Sequence, residues 1–280
     1  MILIADSGGT KADWWLTAAH EGGAGQQLRT QGINPFHQDE AQITSILYGE
    51  LLPQLSGAQP MAVYFYGSGC RPEHQPLMQR LIASAIPSAQ TVEAHSDLLG
   101  AARAVCGHAA GQACILGTGA NSCLYDGTAI VQNTPPLGYV LGDEGSGAVL
   151  GIRFLNALYR GFLPAAVAEE LEHELRLSMT DVIDRVYRQP MANRFLASLS
   201  PFIHARLYVP EVRALVVDGF RLFFRRNMVQ YGRRDLPVGA VGSVAYNYEE
   251  QLREAARAEG FTVDRVLQSP IAALADYHTS

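Results

Sequence analysis

The sequence has no apolar run approaching the ~20 residues that a membrane-spanning helix needs, and its opening residues Met1 to Asp6 lack the basic n-region of a secretory leader. The expected location is therefore the cytoplasm. Only 17% of the residues are charged and the net charge is -6, so the field of Lys and Arg that bulk nucleic-acid binding requires is missing. Any phosphate site must be local. The four cysteines, Cys70, Cys106, Cys114 and Cys123, make no C-x-x-C pair and sit in or beside apolar stretches, which fits reduced thiols better than zinc ligands or disulfides. His20, His37, His74, His95 and His108 are too scattered for a metal spacing. No helix-turn-helix segment precedes the first strand, and no low-complexity linker divides the chain.

What is present suits one large domain or two modest ones: 280 residues, 48% of them hydrophobic. The stretch that organises the rest is Asp6-Ser7-Gly8-Gly9-Thr10-Lys11-Ala12-Asp13, lying between the apolar run Ile2 to Ala5 and the strand-like Trp14-Trp15-Leu16. The pattern predicts a tight hairpin whose glycines, free to take positive φ, let a polyanion approach the backbone, with Thr10 and Lys11 adding donors and Asp6 able to hold a hydrated Mg²⁺. An ordinary Gly-Gly hairpin with a solvated lysine is the plain alternative. A second copy follows 110 residues later. Ala113 to Leu116 leads into Gly117-Thr118-Gly119-Ala120-Asn121-Ser122 and then Cys123-Leu124-Tyr125, which suggests two related lobes offering hairpins to a shared ligand.

Gln27 to Gln31 reads as a third strand, Glu40 to Leu55 as a helix, Met61 to Tyr66 as a strand ending in Gly67-Ser68-Gly69, Pro76 to Ile86 as a helix, and Thr91 to Ala94 as a strand. Asp97 then stands before the helical Leu98 to Val105, where its plain role is an N-cap and its chemical role a base for an attacking hydroxyl. Of the adjacent acids in Gly142-Asp143-Glu144-Gly145-Ser146, only one should reach a ligand, and Asp143 is the choice. A helix is expected around Ala148 to Tyr159. Residues 164 to 231 look almost wholly helical, broken at Pro164, Pro190, Pro201 and Pro210. Val238 to Val241 reads as a strand running into Gly242-Ser243, a platform on which a nucleotide base and ribose could lie. A helix through Ala258, a strand at Phe261 to Val263 and a short closing helix from Pro270 follow. Trp14 and Trp15 alternate across a strand, so at least one should be buried.

Taken in order, Asp6-Ser-Gly-Gly-Thr10-Lys11, Asn34-Pro35, His95-Ser96-Asp97, Gly117 to Ser122 and Gly142 to Ser146 resemble the N-acetylglucosamine kinase branch of the actin-like ATPase superfamily, over nearly the whole chain. The resemblance implies an α/β protein of two ribonuclease-H-like lobes, residues 1–110 and 111–280, with a helical elaboration of the second at about 164–231. It implies ATP and Mg²⁺ as cofactors and an amino sugar as the small-molecule partner, with phosphoryl transfer to the sugar 6-hydroxyl; neither a nucleic acid nor a membrane is expected as partner, and a homodimer stays open. On that resemblance Asp97 matches the general base. Asn34, Ser68, Asn121, Gly138 and Asp143 match sugar-contacting positions. Asp6, Gly8, Gly9, Thr10, Lys11, Gly117, Thr118, Gly119, Gly242 and Ser243 match the nucleotide and metal positions. The stretch Pro135 to Tyr139 lacks the Trp of some relatives, which keeps N-acetylmuramic acid, with its lactyl ether, among the candidate sugars. Activator ATPases of 2-hydroxyacyl-CoA dehydratases and benzoyl-CoA reductases share the first hairpin, but none of the four cysteines here has their cluster-binding setting. A catalytically silent sugar sensor is a third alternative.

Overall fold

A computed structural model describes residues 1–18 and 25–279; His20 lies outside the described residues. The chain divides into two compact units, one of Met1–His108, Gly127–Ala129 and Ser269–Ser280, the other of Ala109–Asp126 and Ile130–Gln268.

The first unit is built on a five-stranded sheet: β1 (Ile2–Ser7), β2 (Lys11–Leu16), β3 (Gln26–Gln31), β4 (Ala62–Gly67) and β5 (Thr91–Ser96), in the order β3-β2-β1-β4-β5. β1, β2 and β3 form an antiparallel meander, while β4 pairs parallel to β1 and β5 parallel to β4. Alternation along each strand sorts the side chains onto two faces. Leu3, Ala5, Ala12, Trp14, Leu28, Val63, Phe65 and Ala94 make one face. They share a core with Ile43, Leu47 and Leu51 of the Glu40–Leu55 helical stretch and with Met78 and Ile82 of the helix Gln75–Ala85. Trp14 is the buried tryptophan, its indole N–H donating to Thr30 Oγ1 at 3.0 Å, and Trp15 on the opposite face is half-buried.

The other face is different. Register sets Arg29, Asp13, Asp6, Tyr66 and His95 in one row across all five strands. Two helices pack over this face, Asp97–Cys106 and Ile271–Thr279. The closing helix, expected with residues 111–280, thus packs against the first sheet. Its His278 stacks on Tyr64 with ring centroids 3.7 Å apart, and its Nε2 lies 2.8 Å from the Tyr66 hydroxyl. Arg103 donates to the same hydroxyl at 2.6 Å, so the tyrosine donates onward to a neutral imidazole. Burial first, and then the Arg103 charge, push His278 down to about 4, which keeps it neutral.

The second unit repeats the topology with β6 (Gly111–Leu116), β7 (Ala120–Tyr125), β8 (Ile130–Asn133), β9 (Val238–Val241) and β10 (Val263–Leu267), ordered β10-β9-β6-β7-β8. β6 to β8 form the meander, and β9 and β10 add in parallel. β8 has no counterpart among the sequence expectations, because three of its four residues are exposed and carry no apolar alternation. Between β8 and β9 lies the helical elaboration, including Ala165–Leu175, Met179–Tyr187, Ala192–Ser198, Ser200–His204 and Pro210–Phe223. Pro201 and Pro210 stand at the first two positions of their helices, where the missing N–H has no helical partner to lose. Leu171, Leu196, Ile203, Val216 and Phe220 join the strand residues Cys114, Leu116 and Ala240 in one core.

Candidate functional site

In the first unit the strand ends bring the predicted residues to one edge of the sheet. Ser7, Gly67 and Ser96 are aligned across β1, β4 and β5, so Gly8, Ser68 and Asp97 follow one another along that edge. The Ser68 N–H donates to Ser7 O at 2.8 Å. Ser7, fully buried, draws in the next loop: its Oγ donates to Ile33 O at 2.9 Å and accepts from Ile33 N–H at 2.8 Å, which fixes neighbouring Asn34 at the same edge. The Asn34 side-chain oxygen accepts from Phe36 N–H at 3.0 Å, leaving its amide nitrogen with no partner among the described residues.

The hairpin closes through Gly8 N–H to Lys11 O at 3.0 Å, yet neither Gly8 nor Gly9 takes a positive φ. The glycine requirement is therefore one of space, not of backbone conformation. A Cβ on Gly8 would meet nothing closer than Lys11 O at 3.7 Å, so the chain itself leaves that space open. The glycine the fold does demand is Gly32, where a Cβ would stand 2.3 Å from Gly8 O. Its N–H donates to Thr10 O at 3.1 Å and props the hairpin from behind. Sequence reasoning did not single out Gly32.

Nor did it single out Asp13. This carboxylate is 4% exposed, opposite Asp6 on one side and Arg29 on the other. It accepts from Lys11 Nζ at 2.7 Å and Arg29 Nε at 2.9 Å. Burial pushes its carboxyl up, but the two cationic donors outweigh that and hold it below the usual carboxylate range. Lys11 is the one lysine in the sequence. For Asp6 the Lys11 charge compensates only in small part: burial, then the charges of Asp97 and Asp13, push it up to about 7.

Asp97 is not the helix cap. Ser96 is, accepting from Leu99 N–H at 3.3 Å, and the Asp97 carboxylate meets only the adjacent backbone, with Leu98 N–H at 2.9 Å. Freed of capping, it remains partly accessible, and burial pushes it up to about 6 against the pull of those N–H groups. The helix behind it is seated on Tyr66. A Cβ on Gly100 would fall 2.8 Å from the tyrosine ring, and Arg103 one turn on donates to its hydroxyl.

In the second unit Gly117, Thr118 and Gly119 form the corresponding turn, and a Cβ on Gly117 would meet nothing within 4 Å. Gly147 N–H donates to Gly117 O at 2.8 Å and Ala148 N–H to Thr118 O at 3.2 Å, so the loop from Gly142 is laced to the turn. Asp143, at φ 55°, turns its carboxylate back to accept from the backbone of Ala120 and Gly138. Burial raises its pKa against those bonds. Glu144 points elsewhere, buried and paired with Arg226 at 2.7 Å. Asn121 Oδ1 accepts from Ser122 N–H and from Asn133 Nδ2, both at 2.9 Å. Gly242, at φ 119°, lies so close to the turn that a Cβ would stand 2.4 Å from Leu116 O, and Ser243 begins the next helix. The site residues thus gather in two groups, Asp6 to Lys11, Asn34, Ser68 and Asp97 in one unit, and Gly117 to Asn121, Gly138, Asp143, Gly242 and Ser243 in the other.

Among the described residues, no group of three or more His, Cys, Asp or Glu is gathered closely enough to hold a metal directly, and no helix is long and apolar enough to cross a membrane.

No protein-family model and no curated protein matches the sequence. Among solved structures, a protein of Porphyromonas gingivalis called a “putative N-acetylglucosamine kinase” is similar at 48% identity and TM-score 0.94, covering 99% of this chain and 98% of that one. A Chromobacterium violaceum protein of the same description is similar at 20% identity and TM-score 0.68, covering 99% and 98%. A glucokinase of the ROK family from Streptomyces griseus, in complex with glucose and AMPPNP, shares the fold at 14% identity and TM-score 0.54, covering 98% of each chain. The duplicated sheet is that of the actin-like sugar kinases, and the near-complete match at 48% identity carries the finer assignment: the chain belongs to the N-acetylglucosamine kinase family of the actin-like ATPase superfamily.

Proposed function

We propose that the protein transfers the γ-phosphoryl group of ATP to the 6-hydroxyl of an N-acetylated amino sugar, with N-acetylglucosamine the member of that class named for its relatives. The observation that carries the reading is Asp97. It is a carboxyl raised to about 6, relieved of helix capping, on the same sheet edge as an open Gly8 hairpin and the unpartnered amide of Asn34.

On this reading Asn34 and Ser68 hold the sugar, with Asn121, Gly138 and Asp143 as further sugar contacts. Asp97 accepts the proton of the 6-hydroxyl while that oxygen bonds to the γ-phosphorus and the bond to the ADP oxygen breaks. A carboxyl with pKa near 6 is ionised at neutral pH and is a better base than an ordinary aspartate. Gly8, Gly9, Thr10, Gly117, Thr118 and Gly119 offer backbone and hydroxyl donors to the phosphates, and Gly242 with Ser243 carries the nucleoside. Lys11, already oriented by Asp13, adds a point charge to the phosphoryl oxygens. The electronegative ground around Asp6, Asp13 and Asp97 fits a hydrated divalent cation, and Asp6 would hold Mg²⁺ through water. When bound, the ion neutralises charge on the phosphate oxygens.

Asp97→Asn keeps the shape and removes the base, so kcat should fall by about 10² to 10⁴, with sugar and nucleotide affinity within a few-fold of wild type. Turnover near the wild-type rate would remove Asp97 from the mechanism.

A further inference from the structure

Asp143 and Asn121, the sugar contacts of the second unit, are both held from behind by one short segment that the proposed reaction leaves unused. The helix Pro210–Phe223 continues past its last α-helical residue as a π-helical turn, Phe224–Met228, and then a 3₁₀ turn, Val229–Tyr231. Single π turns inside helices recur at functional sites. Two arms reach out from this one. Arg226 donates to Glu144 Oε1 at 2.7 Å, with Asn227 Nδ2 at 3.4 Å from Oε2, and Gly145, at φ 79°, lies so close that a Cβ would stand 3.0 Å from Phe223 Cβ. Next to this buried glutamate is Asp143, in the left-handed region at φ 55°, a conformation that persists only where surrounding contacts over-determine it. The second arm is Tyr231. Its hydroxyl accepts from the Thr134 N–H at 3.0 Å and lies 2.7 Å from Ser122 Oγ, while Thr134 Oγ1 donates to Asn227 O at 2.9 Å. Ser122 and Asn133, the residue before Thr134, are the two that occupy the Asn121 side-chain oxygen, and the Asn121 amide nitrogen has no partner among the described residues.

We propose that residues 224–231 are the positioning device of the amino-sugar site: Arg226, through Glu144, sets Asp143, and Tyr231, through Ser122 and Thr134, sets Asn121. The inference rests on the sugar-kinase reading, and it gives the helical elaboration a part in substrate binding. Fold stability is the competing account of both arms. An apolar side chain would fill the Glu144 position at least as stably as an ion pair whose cation is 62% exposed. What only the carboxylate supplies is a directed, charge-assisted bond that fixes where the backbone of Asp143 stands. Tyr231 likewise has a buried hydroxyl divided between the strand that carries Asn121 and the segment that holds its side-chain oxygen.

Kinetics with N-acetylglucosamine and hydrogen exchange of the ligand-free protein test this together. Arg226→Met and Tyr231→Phe should each raise the sugar KM by about 10-fold, with kcat within about three-fold and the KM for ATP within about two-fold of wild type, whereas Arg226→Lys should keep the sugar KM within about three-fold. Exchange should quicken locally, at residues 142–146 in Arg226→Met and at 120–122 and 133–134 in Tyr231→Phe, while β6 and β9 keep their protection. Quickening spread over the whole unit, or a loss that falls equally on both substrates, would overturn the proposal and leave the two residues as fold stabilisers. Local quickening with an unchanged sugar KM would overturn it too. The exchange measurement does not depend on the reaction. If ADP release by the wild type ignores every sugar, the sugar-kinase reading fails by itself, and the exchange pattern still shows whether residues 224–231 set the 142–146 loop; unchanged exchange there overturns the proposal whatever the substrate.

Discussion

Asp6 is a half-buried carboxylate with too little positive charge beside it, and the cost should be measurable. Burial and the neighbouring acids raise Asp6 to about 7, and burial raises Asp97 to about 6, both above the roughly 3.9 of an unfolded chain. Their contribution to stability is therefore complete below about pH 4 and is lost as pH rises through 6 to 7. Asp6→Asn should raise the thermal midpoint of the ligand-free protein at pH 8, by the equivalent of roughly 2 kcal/mol, and the gain should shrink at pH 5. Equal midpoints at pH 8 would show that Asp6 is not strained. The same two groups predict the acid limb of the pH–rate profile, with kcat/KM falling below an apparent pKa between 6 and 7 that belongs to the pair. Motif reading reached Asp6 and Asp97 but passed over Asp13, which in the sequence is one more acid beside a lysine. Only the register opposite Asp6 and Arg29 shows why it is buried.

At the scale of the element, two glycines of one hairpin make opposite predictions. Gly8→Ala adds a methyl into open space at an unstrained φ, so stability should hold or rise by a few tenths of a kcal/mol while the KM for ATP rises about tenfold or more. Gly32→Ala drives a methyl into Gly8 O and should destabilise by about 1–3 kcal/mol. Urea unfolding and ATP titration of the two variants separate the roles, and a stability loss in Gly8→Ala would contradict the open-space argument. The closing helix carries a further test. His278 is half-buried and neutral as the acceptor of Tyr66, so its contribution is present above about pH 6.5 and is lost as pH falls through about 4. Hydrogen exchange in residues 271–279 should quicken over that window, and in Tyr66→Phe it should already be fast at pH 7. Strands with clear alternation or continuous apolar runs were legible from the sequence, as were most helices. The exposed strand β8 was not, and β10 begins two residues later than its apolar run suggests, because pairing with β9 sets its register. Ser96 and Asp97 are both good caps by residue type, and the choice between them is made by where β5 ends.

For the molecule as a whole, one sheet topology occurs twice, and the repeated Gly/Thr turn was the trace of it in the sequence. What the sequence did not disclose is that the last helix returns to the first sheet, since nothing in an amphipathic segment names the surface it will cover. Lys11 being the one lysine offers a clean probe: apart from the α-amino group, an amine-directed reagent has one target, and ATP should protect it. The phosphoryl transfer is tested most directly by ADP release in Mg²⁺ with N-acetylglucosamine, N-acetylmuramic acid, N-acetylmannosamine, glucose or no sugar. Release should depend on an N-acetylated amino sugar and yield its 6-phosphate. Release at one rate regardless of sugar would contradict it and point instead to an activator-type ATPase.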